Sequence, residues 1–226
     1  MNILIPIAKS SKKIKSSYHK SLIKLNKTTN LIQYQLQTLG KINTKMSINF
    51  IVDEFKDDII EVCEGYKNNL PLNYSINYVE SRNSTLSDSI LDGFESINKK
   101  SCTLIMGDVI FNPSAIKIVS NKKVSTFLLD DKGFFARNEI GLWNQKNCIK
   151  HFCYSLPVKW AQIAYLESMF IENYKIYHSS NLLPHEIFNA IIDKSGCECK
   201  SVISKYSKVI EIDKPKDIRM AKQVFV

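Results

Sequence analysis

The first half of the chain alternates short apolar segments with amphipathic ones, and this order constrains the fold more than any other feature. Three apolar segments, at 2–8, 47–52 and 102–106, are typical of buried strands, and the segment 74–79 alternates apolar with polar residues, as a strand with one buried face does. The segments 31–39, 56–66 and 85–97 lie between them and carry apolar residues at helical spacing. Strands that alternate with helices predict a mainly parallel sheet covered by helices. We therefore expect an α/β fold, a three-layer sandwich around a mainly parallel, mixed central sheet.

The second half of the chain predicts a mixture of strands and helices. Asn30 is the predicted N-cap of the first helix and Gly40 its C-terminal stop, and residues 22–25 are expected to be extended. The predicted strands of the second half are 124–130, 133–140, 141–143, 160–167, 202–204 and 209–212, and its predicted helices are 184–192 and 216–224. No linker or repeat interrupts the sequence, so residues 1–226 are predicted to form a single domain.

Charge and composition narrow the class of protein. The formal net charge is +9, which suits an anionic partner, but no nucleic-acid-binding motif is present, and a general nucleic-acid binder would rest on charge alone. No apolar run approaches the eighteen or so residues that span a bilayer, and the apolar N-terminus is short for a signal peptide. The six cysteines lack zinc-site spacing. We expect a cytoplasmic protein with reduced thiols, no membrane or nucleic-acid partner, and a sequence compatible with a homodimer.

Two aspartates follow predicted strands and are the first candidates for chemistry. Asp108 comes after a buried strand and Gly107, whose small size would let a ligand approach closely. Asp213 follows the apolar segment 209–212 and precedes Pro215. Carboxylates at the carboxyl ends of strands can hold Mg²⁺ on a triphosphate. The alternatives are an ordinary turn aspartate at Asp108 and a helix N-cap at Asp213.

A basic segment between the first strand and the first helix is the candidate phosphate site. It supplies four cationic side chains and two hydroxyls, from Lys9, Ser10, Ser11, Lys12, Lys13 and Lys20. Phosphate-binding loops use backbone amides together with such side chains. A solvated charged loop is the alternative interpretation.

In this order, the pieces resemble the small sugar-phosphate and choline-phosphate nucleotidyltransferases. That family has a glycine-rich loop followed by Pro-Lys, then a Tyr-Gln pair on a helix, a strand ending in Gly-Asp, and a late Glu-Ile-Asp. The matching stretches here are Ala8-Lys9-Ser10-Ser11-Lys12-Lys13, His19-Lys20, Tyr34-Gln35, Gly107-Asp108 and Glu211-Ile212-Asp213. The resemblance covers nearly the whole chain and implies a Rossmann-like nucleotidyltransferase fold.

The resemblance also implies roles for individual residues. Asp108 and Asp213 would hold Mg²⁺, Lys13 would contact the leaving pyrophosphate, and Lys20 would meet a phosphate. The nucleotide-binding residues would be Ala8, Lys9, Ser10, Ser11, Lys12, Asn83, Ser84, Thr85 and Ser87, and Glu186 would touch the acceptor. The implied reaction transfers a nucleotidyl group, with CTP the favoured nucleoside triphosphate, to a phosphorylated small molecule and releases pyrophosphate.

Three departures from the family keep other functions open. Lys9 and Ser11 stand where the family has loop glycines, and His19 stands where it has proline. Glycine permits the close approach of backbone to phosphate, so a catalytically impaired nucleotide-binding homologue is one alternative. A glycosyltransferase that uses a nucleotide sugar is the other, although it would want a second carboxylate two residues after Asp108, where Ile110 stands.

Overall fold

The computed structural model describes residues 1–7, 19–53, 55–81, 85–120, 122–135 and 139–225. The strands of this part of the chain are β1 (Asn2–Pro6), β2 (Met46–Val52), β3 (Tyr74–Glu80), β4 (Cys102–Ile105), β5 (Val109–Phe111), β6 (Ser125–Asp130), β7 (Gly141–Gln145), β8 (Cys148–Cys153), β9 (Lys159–Leu166), β10 (Cys199–Ile203) and β11 (Val209–Glu211). Its α-helices are α1 (Leu31–Gly40), α2 (Lys56–Lys67), α3 (Leu86–Ser96), α4 (Pro113–Val119), α5 (Ser168–Tyr177), α6 (Pro184–Ser195) and α7 (Pro215–Phe225).

Within the described residues, nine strands form one mixed sheet in the order β3-β2-β1-β4-β9-β6-β10-β8-β7. The pairs β3–β2, β2–β1 and β1–β4 are parallel, as the alternation of strands and helices predicts. The strand β9 then runs antiparallel to both β4 and β6. The α/β class with a mixed central sheet is therefore confirmed. Because one sheet takes strands from both halves of the chain, we propose that residues 1–226 form a single domain.

A second, two-stranded sheet pairs β5 with β11 in antiparallel register. Val109 lies opposite Glu211, so the residues just outside the ladder, Asp108 and Ile212, are neighbours. The amide of Ile212 donates a hydrogen bond of 2.9 Å to the carbonyl of Asp108. This small sheet brings two segments that are distant in sequence to the carboxyl end of β4.

Several sequence-based expectations for individual elements need correction. Residues 20–22 form a 3-10 turn, and Lys24 makes a single bridge to Asn30, where an extended piece was expected. The described parts of 133–140, residues 133–135 and 139–140, contain no strand. Gly40 is the last residue of α1, but Lys41 caps that helix in a right-handed conformation, so no left-handed glycine stop is used. The elements β5, α4, β8 and α5 were not predicted.

The predicted cap of α1 forms as a reciprocal pair. The Asn30 side chain accepts from the Gln33 amide at 2.9 Å, and the Gln33 side chain accepts from the Asn30 amide at 3.1 Å. We expect Asn30→Ala to lower the free energy of unfolding by about 1 kcal/mol, because the Gln33 amide loses its side-chain acceptor. Urea denaturation measures this loss. Asn69→Ala, at an exposed turn position, is the control, and equal losses in the two variants would contradict the capping role.

Candidate functional site

The structure brings three of the predicted site residues into direct contact. The Lys20 ammonium donates to Asp108 Oδ2 at 2.8 Å and to Asp213 Oδ1 at 2.6 Å. The Lys20 side chain is 7% exposed, against 29% for Asp108 and 14% for Asp213. Burial by itself would lower the pKa of Lys20, but the charges and hydrogen bonds of the two carboxylates outweigh it and raise that pKa above its ordinary value. Lys20 is therefore a buried ammonium ion between two carboxylates.

The backbone of Lys20 is fixed by its neighbours. His19 caps the 3-10 turn Lys20–Leu22, and its Nδ1 accepts a hydrogen bond of 3.1 Å from the Ser21 amide. The imidazole is buried and lies 5.6 Å from the Phe55 ring, centroid to centroid. His19 therefore fixes the position of the backbone from which the Lys20 side chain projects.

Asp108 is held by the turn between β4 and β5. The buried Gln35 side chain donates to the carbonyls of Gly107 at 3.3 Å and Val109 at 2.8 Å, on either side of Asp108. A Cβ on Gly107 would lie 2.5 Å from the Pro6 carbonyl oxygen. The expectation that Gly107 makes room for a ligand is corrected, because the backbone of β1 fills that space. Glycine is needed here so that the turn can pack against the first strand.

Asp213 directs an oxygen to Lys20, while a different aspartate caps the last helix. Asp217 Oδ2 accepts from the amides of Asp213 at 3.0 Å and Lys214 at 2.7 Å. A carboxylate in the first helical turn can accept hydrogen bonds from backbone amides that precede the helix. Its negative charge also interacts favourably with the positive end of the helix dipole. The start of α7 thereby fixes the backbone from which the Asp213 side chain projects.

Glu211 is a site residue that the sequence analysis did not single out. Carboxylate oxygens of Asp108, Glu211 and Asp213 lie within 4.8 Å of one another. Burial, followed by the nearby charges of Asp108, Glu139 and Asp213, raises the pKa of Glu211 well above its ordinary value. Glu211 therefore contributes a carboxyl oxygen to the site but ionises less readily than an ordinary glutamate.

Gln162 positions Glu211 from the central sheet and was also missed. Its side-chain amide donates to Glu211 Oε1 at 2.8 Å, and its φ of +58° is in the left-handed region that non-glycine residues rarely adopt. It lies where the pairing between β6 and β9 shifts register. Unfavourable backbone of this kind persists when surrounding contacts hold it, and it is frequent near functional sites.

A cavity of about 280 Å³ opens beside Glu211 and Asp213. Its lining combines aromatic and apolar side chains with charged ones, from Phe134, Phe135, Glu139, Glu211, Asp213, Lys214, Lys216 and Met220. A pocket with convergent polar groups on a partly apolar surface is typical of small-molecule sites.

The remaining predicted site residues fall into two groups. Ala8, Lys9, Ser10, Ser11, Lys12, Lys13, Asn83 and Ser84 lie outside the described residues. Thr85 caps α3 by accepting from the Asp88 amide at 3.1 Å, and the buried Ser87 hydroxyl donates to the Leu182 carbonyl. Glu186 is exposed and accepts from the Leu183 amide at 2.7 Å, at the start of α6. These three residues have structural hydrogen bonds, and their predicted ligand contacts stay predictions.

Among the described residues, no helix has the length and apolar character needed to cross a bilayer.

The chain is similar to known proteins in its three-dimensional structure and not detectably in its sequence. No protein-family model matches the chain, and no curated protein sequence matches it. A solved nucleoside-diphosphate-sugar pyrophosphorylase from Vibrio cholerae RC9 superposes with a TM-score of 0.78 at 14% identity, over 98% of this chain and 99% of that one. An inositol-1-phosphate CTP transferase from T. maritima gives 0.78 at 14% identity, over 100% and 97%. A UDP-glucose pyrophosphorylase complexed with UDP-glucose gives 0.79 at 12% identity, over 99% and 97%. The chain therefore has the Rossmann-like α/β fold of these nucleotidyltransferases along almost its whole length.

Proposed function

We propose that the chain is a nucleotidyltransferase that transfers a nucleotidyl group from a nucleoside triphosphate to a phosphorylated small molecule and releases pyrophosphate. The observation that carries the proposal is the contact of buried Lys20 with Asp108 and Asp213 at the end of β4. In sheets of this class, ligands bind beyond the carboxyl ends of the strands. Two acidic side chains and a lysine at that place suit a polyphosphate and its cation.

The donor set fits a hard divalent cation such as Mg²⁺. The three carboxylates offer oxygens within 4.8 Å of one another, and Mg²⁺ prefers oxygen ligands. We assign Asp108 and Asp213 as its ligands, with Glu211 beside them. When bound, Mg²⁺ would neutralise negative charge on the phosphates.

The proposed reaction needs no covalent intermediate with the protein. An oxygen of the acceptor phosphate attacks the α-phosphorus of the triphosphate in line, and pyrophosphate leaves with the bonding electron pair. The protein contributes by positioning and charge neutralisation. Lys20 donates hydrogen bonds to phosphate oxygens, and Lys13 is proposed to do the same for the leaving pyrophosphate. The cavity beside Asp213 is the proposed place of the acceptor.

CTP is the proposed nucleotide. Its support is the resemblance of the Glu211-Ile212-Asp213 ending and of the small chain to the choline-phosphate type. Solved proteins with the same fold carry names that refer to CTP or to UDP-glucose, so UTP is the natural comparison nucleotide.

A pyrophosphate-release screen tests this proposal. We expect release with CTP and Mg²⁺ that depends on one of a panel of phosphorylated acceptors, such as choline phosphate, inositol 1-phosphate and hexose 1-phosphates. EDTA should stop it, and ATP, GTP and UTP should give at least about tenfold lower kcat/KM if a cytidine site discriminates by hydrogen bonds to the base. Pyrophosphate release with UTP in preference to CTP would support the proposed reaction but reject CTP as the nucleotide.

The impaired homologue remains the second candidate because Lys9 and Ser11 replace the loop glycines. A thermal-shift series with the four nucleoside triphosphates and with nucleotide sugars, run beside the screen, separates the candidates. Stabilisation by a triphosphate without pyrophosphate release from any acceptor would favour the impaired homologue. Stabilisation by nucleotide sugars alone would favour a glycosyltransferase.

A further inference from the structure

The Lys20 ammonium stands between the two carboxylates that are the proposed metal ligands. It is the same nitrogen that contacts Asp108 Oδ2 and Asp213 Oδ1. Two carboxylates this close repel each other, and one ammonium ion cancels one of their two charges. A divalent cation would cancel both. The site therefore contains a cation of its own, supplied by the chain.

We propose that Lys20 is the resident counter-ion of the ligand-free site and that a divalent cation displaces its ammonium from Asp108 and Asp213. This inference rests on the proposed function for the identity of the cation. A metal ion bound to both carboxylates while Lys20 kept its hydrogen bonds would share the same oxygen atoms' surroundings with the ammonium. A divalent and a single positive charge repel each other twice as strongly as two single charges at the same separation, and burial would leave this repulsion poorly screened. Displacement avoids this repulsion.

Only the Lys20 side chain has to move in this exchange. The backbone of Lys20 is fixed because His19 caps the 3-10 turn and the His19 imidazole packs against the Phe55 ring. The four-carbon side chain of Lys20, by contrast, can rotate. The displaced ammonium needs a new anionic partner, because a buried charge without one is unfavourable. A phosphate of the incoming nucleotide supplies that partner. Metal and nucleotide should consequently bind with positive coupling, since each removes a cost of binding the other.

Metal affinity in the absence of nucleotide tests the exchange. Mn²⁺ binding to the full chain, measured by electron paramagnetic resonance at pH 7.5, should be at least about tenfold tighter in Lys20→Met than in the wild type, because the competing cation is gone. Lys24→Met, which removes an exposed lysine from the next segment, is the matched control and should bind Mn²⁺ like the wild type. Lys20→Arg keeps a cationic side chain at this position and should bind Mn²⁺ as weakly as the wild type. Equal or weaker binding by Lys20→Met, or no Mn²⁺ binding by either protein, would overturn the proposal.

A second measurement uses the wild type alone, in case Lys20→Met folds poorly with its carboxylates unpaired. The NMR signals of the Lys20 ε-methylene group, assigned by their absence in Lys20→Arg, should shift as Mg²⁺ is added and saturate with the metal-binding curve. If the chemical shifts of these signals did not change at saturating Mg²⁺, the ammonium would have stayed in place. Neither measurement requires turnover. Tighter Mn²⁺ binding by Lys20→Met, together with no nucleotidyl transfer by the wild type, would retain the counter-ion role and reject the proposed function, whereas transfer by the wild type without that gain in affinity would do the reverse.

Discussion

Asp108→Asn and Asp213→Asn should each lower acceptor-dependent pyrophosphate release by about a hundred- to a thousandfold. Each substitution keeps the shape of the side chain and an oxygen that can accept from Lys20, but it removes one of the charges that would hold Mg²⁺. Removing one preorganised electrostatic contact from a phosphate-transfer or acyl-transfer site costs rate on this scale. Initial rates at saturating nucleotide and acceptor measure the loss as kcat.

The asparagine variants separate a role in chemistry from a role in folding. Both should keep the far-ultraviolet circular dichroism spectrum of the wild type, since the Lys20 hydrogen bonds can be retained. Asp193→Asn, at an exposed position near the end of α6, is the control and should leave the rate unchanged. If either site variant turned over like this control, its aspartate would not be a metal ligand.

The parallel half of the sheet could be predicted because each of its elements carries a local signal. The predicted strands match β1, β2, β3 and β4, and the helices that follow the first three strands begin and end within one or two residues of the predicted positions. Asn30 shows why: a side chain that can cap stands directly before the apolar residues of α1, and the cap forms. Local chemistry and tertiary structure agree in this half of the chain.

The missed elements differ in the local signals that their sequences carry. The strand β5 has three residues, and its partner β11 is far away in sequence. The hairpin between β7 and β8 turns at Lys146 and Asn147, with φ values of +52° and +64°. Glycine normally marks such a turn, so a lysine there conceals it. The start of α4 was signalled, because Pro113 follows Asn112 as the first helical residue.

Lys20, Asp108 and Asp213 could each be named as candidates from the sequence, but their arrangement could not. Asp108 and Asp213 each follow an apolar strand, yet their contact with one lysine depends on the β5–β11 ladder. Glu211 could have been found, because residues two apart in an extended segment point to the same side, and Glu211 and Asp213 are such a pair. Gln162 could not have been found, because no feature of the local sequence indicates a residue with positive φ inside β9.

Gly107→Ala should destabilise the protein by about 1–3 kcal/mol, although it adds only one methyl group. The new Cβ would lie 2.5 Å from the Pro6 carbonyl oxygen and 3.2 Å from the Ile7 Cα, which are backbone atoms at the end of β1 and directly after it. Such atoms cannot rotate away as a side-chain terminus can, so the turn after β4 must move. Urea denaturation followed by circular dichroism measures the loss.

Gly65→Ala is the matched control, because its Cβ meets nothing within 4 Å in the exposed part of α2. Alanine there should stabilise the protein by about 0.5–1 kcal/mol, since it restricts the unfolded chain and favours helix. The same substitution thus has opposite signs at the two positions.

The Gly107 variant should also lose activity at temperatures where it is fully folded. The turn carries Asp108 between the two carbonyls that Gln35 binds, so a shift of this turn displaces the carboxylate from Lys20. A displacement of about 1 Å at a reacting centre can cost about a hundredfold in rate. If Gly107→Ala lost stability but kept its full rate, the turn would support the fold without setting the position of Asp108, and its packing against β1 would not control the site.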